Sequence, residues 1–462
     1  MTTRLFARHA LLPQGWADDV RIDVAADGTL ATVTPGSEPD GAERVGGPLV
    51  PAMPNLHSHA FQRGLAGRTG RHSHDRNDTF WTWRDVVYDF LDRIDADALE
   101  AVTAQAFVEM AKAGYTAVAE FHYVHHDTEG RPLADPAENA WRVVSAASIA
   151  GVGLTLLPVF YAHAGFGGTP PTPRQRRLVH APHTFHRLYE ALARDRARHG
   201  YVLGIAPHSL RAVTPDELGE VLKFAAPDAP IHIHVAEQTR EVDDCYAWSR
   251  LRPVEWLLAK AAVDERWCLV HATHMTEREV HGLARSGAVA GLAPTTEADL
   301  GDGTFPAEAY LVNGGRYGVG SDSNTVIDPF VELRQLEWSQ RLRLRRRNVL
   351  TGDGEVTIGN ALWQSAVAGG AQAVARKTGR IEAGARADLL VLNEDDPALA
   401  EQPADCVLDA AIFGPARLPV RHVMSAGRWI VRDGHHAQEE AVARRYREVL
   451  STIRLNGNGD GG

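Results

Sequence analysis

The sequence predicts an α/β fold, a (β/α)8 TIM-type barrel carrying a small β-sandwich domain built from both chain ends. Three observations carry that expectation. From Pro51 onward, apolar β-rich runs alternate with helical stretches, the texture of parallel strands covered on both faces by crossover helices. Eight such runs occur over roughly 320 residues. The two chain ends instead carry short strand patterns broken by turns.

The first fifty residues read as strands in "TRLFARHALLP", "WADDVRIDVAADGTLATVTPG" and "RVGGPLVPAMPN", with Asp-Gly and Pro-Gly marking the turns. The eight barrel runs follow in order: "PLVPAMPNLHSH", "YTAVAEFHYVHH", "GVGLTLLPVFYA", "YVLGIAPHSL", "APIHIHVAEQ", "RWCLVHATH", "GAVAGLAPTTEADL" and "RYGVGSDSN". Helix patterns lie between them, among them "DADALEAVTAQAFVEMAKAG" and "TPDELGEVLKFAAP". The second opens on a capping box at Thr214 and Glu217. Past residue 378 the strand texture returns in "GRIEAGARADLLVLN" and "RHVMSAGRWIVRDG". The expected division is therefore 1–50 with 378–440 as the sandwich, 51–377 as the barrel, and 441–462 as a C-terminal helix and disordered tail.

Composition narrows the class. The chain has 462 residues and a net charge of −11, from 48 basic and 59 acidic residues. That balance argues against nucleic acid as a partner, since such binding rests on phosphate neutralisation. The one basic run, Arg341 to Asn348, reads as a solvated helix end. No apolar run is long enough to span a membrane. The first residues lack a secretory pattern, and Cys245, Cys268 and Cys406 form neither a disulfide framework nor a metal spacing. A cytoplasmic protein is expected.

The polar residues of the barrel strands gather at the C-terminal ends, where this fold builds its active sites. The first strand supplies His57 and His59. Residues i and i+2 of a strand share a face. The second supplies Glu120, His122 and Tyr123, then His125 and His126. The fourth gives His208 and Arg211, the fifth His232, His234 and Glu237, the sixth His271 and His274, and the eighth Ser321, Asp322 and Ser323. A single histidine at a strand end is ordinarily a hydrogen-bonded structural residue, and His125, His126, His163 and His274 keep that reading. His232 lies one layer deeper, between structural and metal-supporting roles. His57, His59, His234 and Asp322 together make a three-nitrogen, one-oxygen set. It suits one Zn²⁺, or Fe²⁺, and suits Ca²⁺ or Mg²⁺ poorly. A metal-activated water, Asp322 as proton acceptor and Glu237 as proton carrier predict hydrolysis at an sp² carbon. His271 would hydrogen-bond the attacking oxygen or polarise the substrate.

These residues resemble the amidohydrolase superfamily: His57-Ser58-His59, the "HVAE" of His234 to Glu237, His271, and the "SD" of Ser321-Asp322. The glutamate three residues after the third histidine resembles the mononuclear deaminases of that superfamily. No lysine lies at a strand end to serve as a bridging ligand, which also favours one metal. The ordered set "PNLHSHAFQR", "FWTWRD", "AEFHYVHHD", "APHSLRAV", "IHIHVAEQ", "EVDDC", "LVHATH" and "TEADLGDG" is similar to the formimidoylglutamate deiminases. One departure stands out: after "GSDS" a histidine is expected, and Asn324-Thr325 follow.

The resemblance implies an anionic small-molecule substrate with two carboxylates and a formimino group, deaminated hydrolytically to N-formyl-L-glutamate. It also implies a homodimer. Gln62, Arg84 in the aromatic loop "TFWTWRD", Tyr123, His208 and Arg211 would hold the substrate, with the arginine forks meeting carboxylates. The alternatives are a related deaminase acting on a purine, an adenosine derivative or a pterin and, from another class, a non-catalytic barrel scaffold.

Overall fold

The computed structural model describes residues 3–70, 78–352, 357–414 and 417–453. Both chain ends contribute to one nine-stranded sheet. From the N-terminal side come Thr3–Leu12, Gly15–Val24, Leu30–Thr34, Glu43–Arg44 and Leu49–Pro51. From the C-terminal side come Leu389–Leu392, Val420–Ser425, Arg428–Arg432 and His435–His436. The two ends join where Val50 pairs antiparallel with Leu390. The sheet curls until Thr29 bridges Arg386, enclosing Leu5, Val20, Ile22, Leu389, Val391 and Met424.

The rest of the fold is two parallel sheets. The first holds β1 (Met53–Ser58), β2 (Tyr115–His122), β3 (Gly153–Phe160) and β4 (Ala206–Pro207). The second holds β5 (Ile231–Val235), β6 (Trp267–His271), β7 (Val289–Leu292) and β8 (Arg316–Val319). Single parallel bridges link their edges: Ser58 to Asp322 on one side, Ile205 to Ile231 and Ser209 to His234 on the other. The eight strands thus follow one another around a ring. Their residues are buried on both faces, apart from Arg316 at the start of β8, as expected for strands under helices.

The fourth run is shorter in the structure than the sequence pattern suggests. It divides into Val202–Leu203 and Ala206–Pro207 around Gly204. There a Cβ would lie 2.6 Å from Pro230 O and 2.5 Å from Leu157 Cδ2, so only glycine fits this close approach. The first long helix runs as expected over Ala96–Ala113. The Asp95 side chain accepts from Ala98 N at 2.8 Å and Gly114 closes the helix at φ 99°. The Thr214–Glu217 capping box is present, opening the helix Pro215–Val221. The segment "TFWTWRD", read as a loop, is instead the start of the helix Phe80–Leu91. Thr79 caps it by accepting from Trp81 N, and Thr82 Oγ1 accepts from Thr79 N. The basic run does end a helix, Pro329–Leu344, with Arg341 paired to Glu337 at 2.7 Å and Arg345 left-handed at the cap. The C-terminal helix spans Glu439–Thr452; the tail 454–462 and much of the loop "GRTGRHSHDRNDTF" (71–77) lie outside the described residues. Among the described residues no helix is long and apolar enough to cross a membrane, and the three cysteines are free.

Candidate active site

The junction of β1 and β8 is locked by a network that the sequence pattern does not display. His59 N donates to Asp322 O at 2.9 Å and Asp322 N to His57 O at 3.0 Å. Beneath them Asn324 is fully buried. Its amide nitrogen faces His59 O at 3.0 Å, Asp322 O at 2.9 Å and Ser58 Oγ at 3.2 Å, while its oxygen accepts from Ser321 Oγ at 2.6 Å. Asn55 in turn donates to Ser321 Oγ at 2.7 Å. Asn324 sits at φ 56°, a left-handed conformation that asparagine tolerates better than most residues. It does not line the cavity described below. The departure from the expected histidine therefore falls on the support beneath the site. Ala236, His271, Ala272 and Asp322 also have left-handed backbones, with φ of 51°, 67°, 47° and 44°. Strain of this type, about 1–3 kcal/mol per residue, clusters at functional sites.

On that frame three imidazoles converge. His57 Nε2 lies 3.2 Å from His59 Nε2 and 3.1 Å from His234 Nε2, and the three rings form a group with metal-ligand spacing. Asp322 Oδ1 lies 3.5 Å from His57 Nε2 and 3.4 Å from His59 Nε2. Two outer nitrogens are anchored: His59 Nδ1 on Phe121 O at 3.2 Å and His234 Nδ1 on His208 O at 3.1 Å. Each must carry its proton there, which leaves Nε2 as a lone pair. Burial holds His59 down to about 3 and also lowers His57 and His234. Burial would raise Asp322, but the hydrogen bond and charge of His57 hold it below the usual carboxylate range. Neutral imidazole lone pairs aimed at one point beside a carboxylate cannot satisfy one another by hydrogen bonding. They fit a borderline-soft metal ion.

Next to this group His271 Nε2 faces Glu237 Oε1 at 3.6 Å and Asp322 Oδ2 at 3.7 Å, and its Nδ1 faces Glu297 Oε1 at 3.3 Å. Burial works against the charge of His271, but Glu237, Glu297 and Asp322 carry it up to about 10. Burial pushes Glu237 up to about 7, against the pull of His271 and Arg211. Arg211 Nη2 lies 3.8 Å from Glu237 Oε2. The turn that presents Glu237 is held by Glu241, which accepts from Ala236 N at 3.3 Å and Glu237 N at 3.1 Å.

A narrow cavity opens over these groups. His59, His234, Glu237, His271 and Asp322 line one part, and Gln62, Arg84, Tyr123, His208 and Arg211 another. Of the eleven residues expected to bind metal or substrate or to move protons, only His57 lies behind this wall. Gln62 Nε2 donates to Tyr123 OH at 3.1 Å, on the short helical turn Ala60–Leu65. In that turn Gly64 is required by packing, since a Cβ there would meet Phe90 Cζ at 2.3 Å. Arg84 Nε, Arg211 Nε and Gln62 Oε1 are buried without a hydrogen-bond partner. The Arg84 guanidinium lies over Trp81 at 4.6 Å. Tyr88, Tyr161 and Trp83 also line the cavity, which the strand pattern does not display; a helical reading of "FWTWRDVVYDFL" puts Phe80, Arg84 and Tyr88 on one face. Five other histidines face backbone or structural partners, while His122 Nε2 is buried without one. His125 meets Val159 O, His126 meets Val179 O, His232 meets Ala373 O and His274 meets Asp302 O, all at 2.7–2.9 Å. His163 meets Glu217 at 2.8 Å.

The chain is similar to known proteins. A family model for the amidohydrolase family matches residues 49–430. A second, for the N-terminal domain of formimidoylglutamate deiminase HutF, matches residues 2–47. The chain is 52% identical to a formimidoylglutamate deiminase of Pseudomonas aeruginosa, over 97% of this chain and 99% of that one. The crystal structure of an amidohydrolase from Brucella melitensis superposes with a TM-score of 0.91 at 47% identity, covering 97% of this chain and 99% of the other. An adenosine deaminase from Xanthomonas campestris with bound zinc shares the fold at 20% identity, with a TM-score of 0.78 over 98% of this chain and 99% of the other.

Proposed function

Because the chain belongs to the amidohydrolase family, and within it to the formimidoylglutamate deiminases, we propose that it hydrolyses N-formimino-L-glutamate to N-formyl-L-glutamate and ammonia, a step of histidine degradation. The observation that carries the substrate assignment is the pair of arginines. Arg84 and Arg211 enter the same cavity as the histidine group, each with a buried Nε lacking a protein partner. A buried guanidinium without its hydrogen bonds is costly, and a substrate with two carboxylates supplies them. A site for a purine or pterin ring has no use for two such cations.

His57, His59, His234 and Asp322 would hold a single Zn²⁺, with Fe²⁺ as the alternative. Such an ion, when bound, supplies a water acidic enough to act as a nucleophile near neutral pH. The protein's own groups do the rest. Asp322 takes the proton that water gives up as its oxygen bonds to the formimino carbon. Glu237, poised near neutrality, passes a proton to the nitrogen. The proton on Asp322 then reaches the same nitrogen, the carbon–nitrogen bond breaks and ammonia leaves, while the hydroxyl proton returns to Glu237 as the former water oxygen becomes the formyl carbonyl. His271 steadies the oxygen through its Nε2. Arg84 and Arg211 hold the carboxylates with charge-assisted hydrogen bonds, and Gln62, Tyr123 and His208 complete the substrate wall. By the same kinship the protein would act in the cytoplasm as a homodimer.

The test is ammonia release from N-formimino-L-glutamate by the metal-loaded protein, beside a panel of adenosine derivatives, guanine and pterins. Release from the first with appearance of a formyl proton signal is expected. No release from it, or faster release from a heterocycle, overturns the assignment.

A further inference from the structure

Four imidazoles meet at the reacting side of the cavity, and they differ in what their Nδ1 atoms face. His59 and His234 turn Nδ1 to backbone carbonyls, and His57 Nδ1 is buried with no partner. Of the four, only His271 turns Nδ1 to a carboxylate, Oε1 of Glu297 at 3.3 Å. Glu297 is 5% exposed and stands on the short helix Pro294–Leu300 that follows β7. The same oxygen also accepts from Ala293 N at 3.0 Å, so the carboxylate is tied to its own helix while it reaches the ring. Glu297 does not line the cavity.

His271 needs such a tether. It ends β6 at φ 67°, followed by Ala272 at φ 47°, a strained exit that leaves the ring's direction to its side-chain contacts. The ring lies 14° from parallel to His234, centroids 5.6 Å apart. A stack of that type does not distinguish the ring from its half-turn about Cβ–Cγ, which exchanges Nδ1 with Cδ2 and Nε2 with Cε1, and a bond at Nδ1 does. With Nδ1 fixed, Nε2 lies 3.6 Å from Glu237 Oε1 and 3.7 Å from Asp322 Oδ2.

We propose that Glu297 is a positioning residue: by accepting the Nδ1 proton of His271 it fixes that ring's rotation, and so aims Nε2 between the proton carrier Glu237 and the proton acceptor Asp322. Glu297 acts through His271 and touches no substrate. The inference rests on the assignment of His271 to the reaction, and its bond to His271 can be read without turnover.

Glu297→Leu and Glu297→Gln are compared with the wild type. Outer-sphere partners of metal-ligating histidines are worth about 10–100-fold, and an effect of the same order is expected at His271. Glu297→Leu is expected to lose that factor in kcat, with KM changed by less than about threefold and stoichiometric metal retained. Glu297→Gln keeps an oxygen acceptor and should recover most of the loss. Nitrogen-15 histidine spectra of metal-free protein give the independent readout. The wild type and the Gln variant should show a protonated, exchange-protected Nδ1, assigned by its disappearance in His271→Gln, and the Leu variant should lack it. Wild-type kcat in the Leu variant, loss of metal in step with kcat, or an unprotonated His271 Nδ1 in the wild type each overturns the proposal. If the Leu variant fails to fold, the wild-type and Gln spectra still decide. If the wild type releases no ammonia from N-formimino-L-glutamate, the substrate assignment fails while the spectra still decide the tether.

Discussion

Replacing Arg211 with methionine probes the substrate side of the site without touching the histidine group. Arg211 lies at the cavity wall with a side chain 13% exposed, its Nε unpartnered and its Nη2 3.8 Å from Glu237 Oε2. A hydrogen bond to a charged group is worth about 1.5–3 kcal/mol, so losing the carboxylate contact should raise KM by roughly 10–150-fold. A second effect follows from the ion pair. The Arg211 charge pulls Glu237 down against its burial, so without the guanidinium Glu237 should hold its proton to higher pH. The alkaline limb of kcat, where it reports loss of the proton destined for the leaving nitrogen, should then move upward. The metal content should stay stoichiometric, since among the described residues Arg211 forms its ion pair with Glu237 and none with Asp322. Steady-state ammonia release across pH, with metal analysis of the same samples, measures all three. An unchanged KM would refute the carboxylate contact, and loss of metal would refute the separation of the two halves of the site.

Glu237→Gln should keep the metal and lose about 10²–10⁴-fold in kcat; metal analysis and turnover on one sample check it, and surviving turnover would remove Glu237 from the proton path. Dialysis against a chelator should abolish ammonia release and lower the melting temperature, and Zn²⁺ should restore both. A ligand at 100 times its Kd stabilises by about 2.7 kcal/mol. Asn324→Ala should cost about 1–3 kcal/mol of stability, because buried acceptors lose their donor. KM should be unchanged, since Asn324 lies outside the cavity, and denaturant melts with kinetics separate the two. Acid should destabilise the fold through His122 and His180, whose pKa values burial holds down to about 3. The unfolded chain binds those protons near pH 6.5, so stability is full above that pH and falls as pH drops from there toward 3. His180→Gln should flatten the fall in melting temperature between pH 7 and 5.

How far the sequence reveals this site depends on which physical signal each residue leaves. The strand count and the clustered histidines are legible because both depend on short-range order. Parallel strands under helices are apolar throughout, and the polar residues at their ends stand out against that background. His57 and His59 share a face by strand geometry alone. Arg84 reads as a loop residue because its aromatic neighbours mask the helix that Thr79 and Thr82 begin by reciprocal capping. Tyr88 and Tyr161, from distant segments, meet only in the folded cavity. The distinction between a ligand histidine and a hydrogen-donating one is less legible still. His234 and His271 both sit at strand ends, their rings nearly parallel. What separates them is the atom behind each ring, a carbonyl of His208 in one case and the carboxylate of Glu297 in the other. A carbonyl acceptor leaves a neutral imidazole with a free lone pair, the state a metal requires. Carboxylates at both nitrogens, as around His271, require a donor at each. No spacing in the chain records that difference, because it is made by the residue that follows β4 in one case and by the helix after β7 in the other.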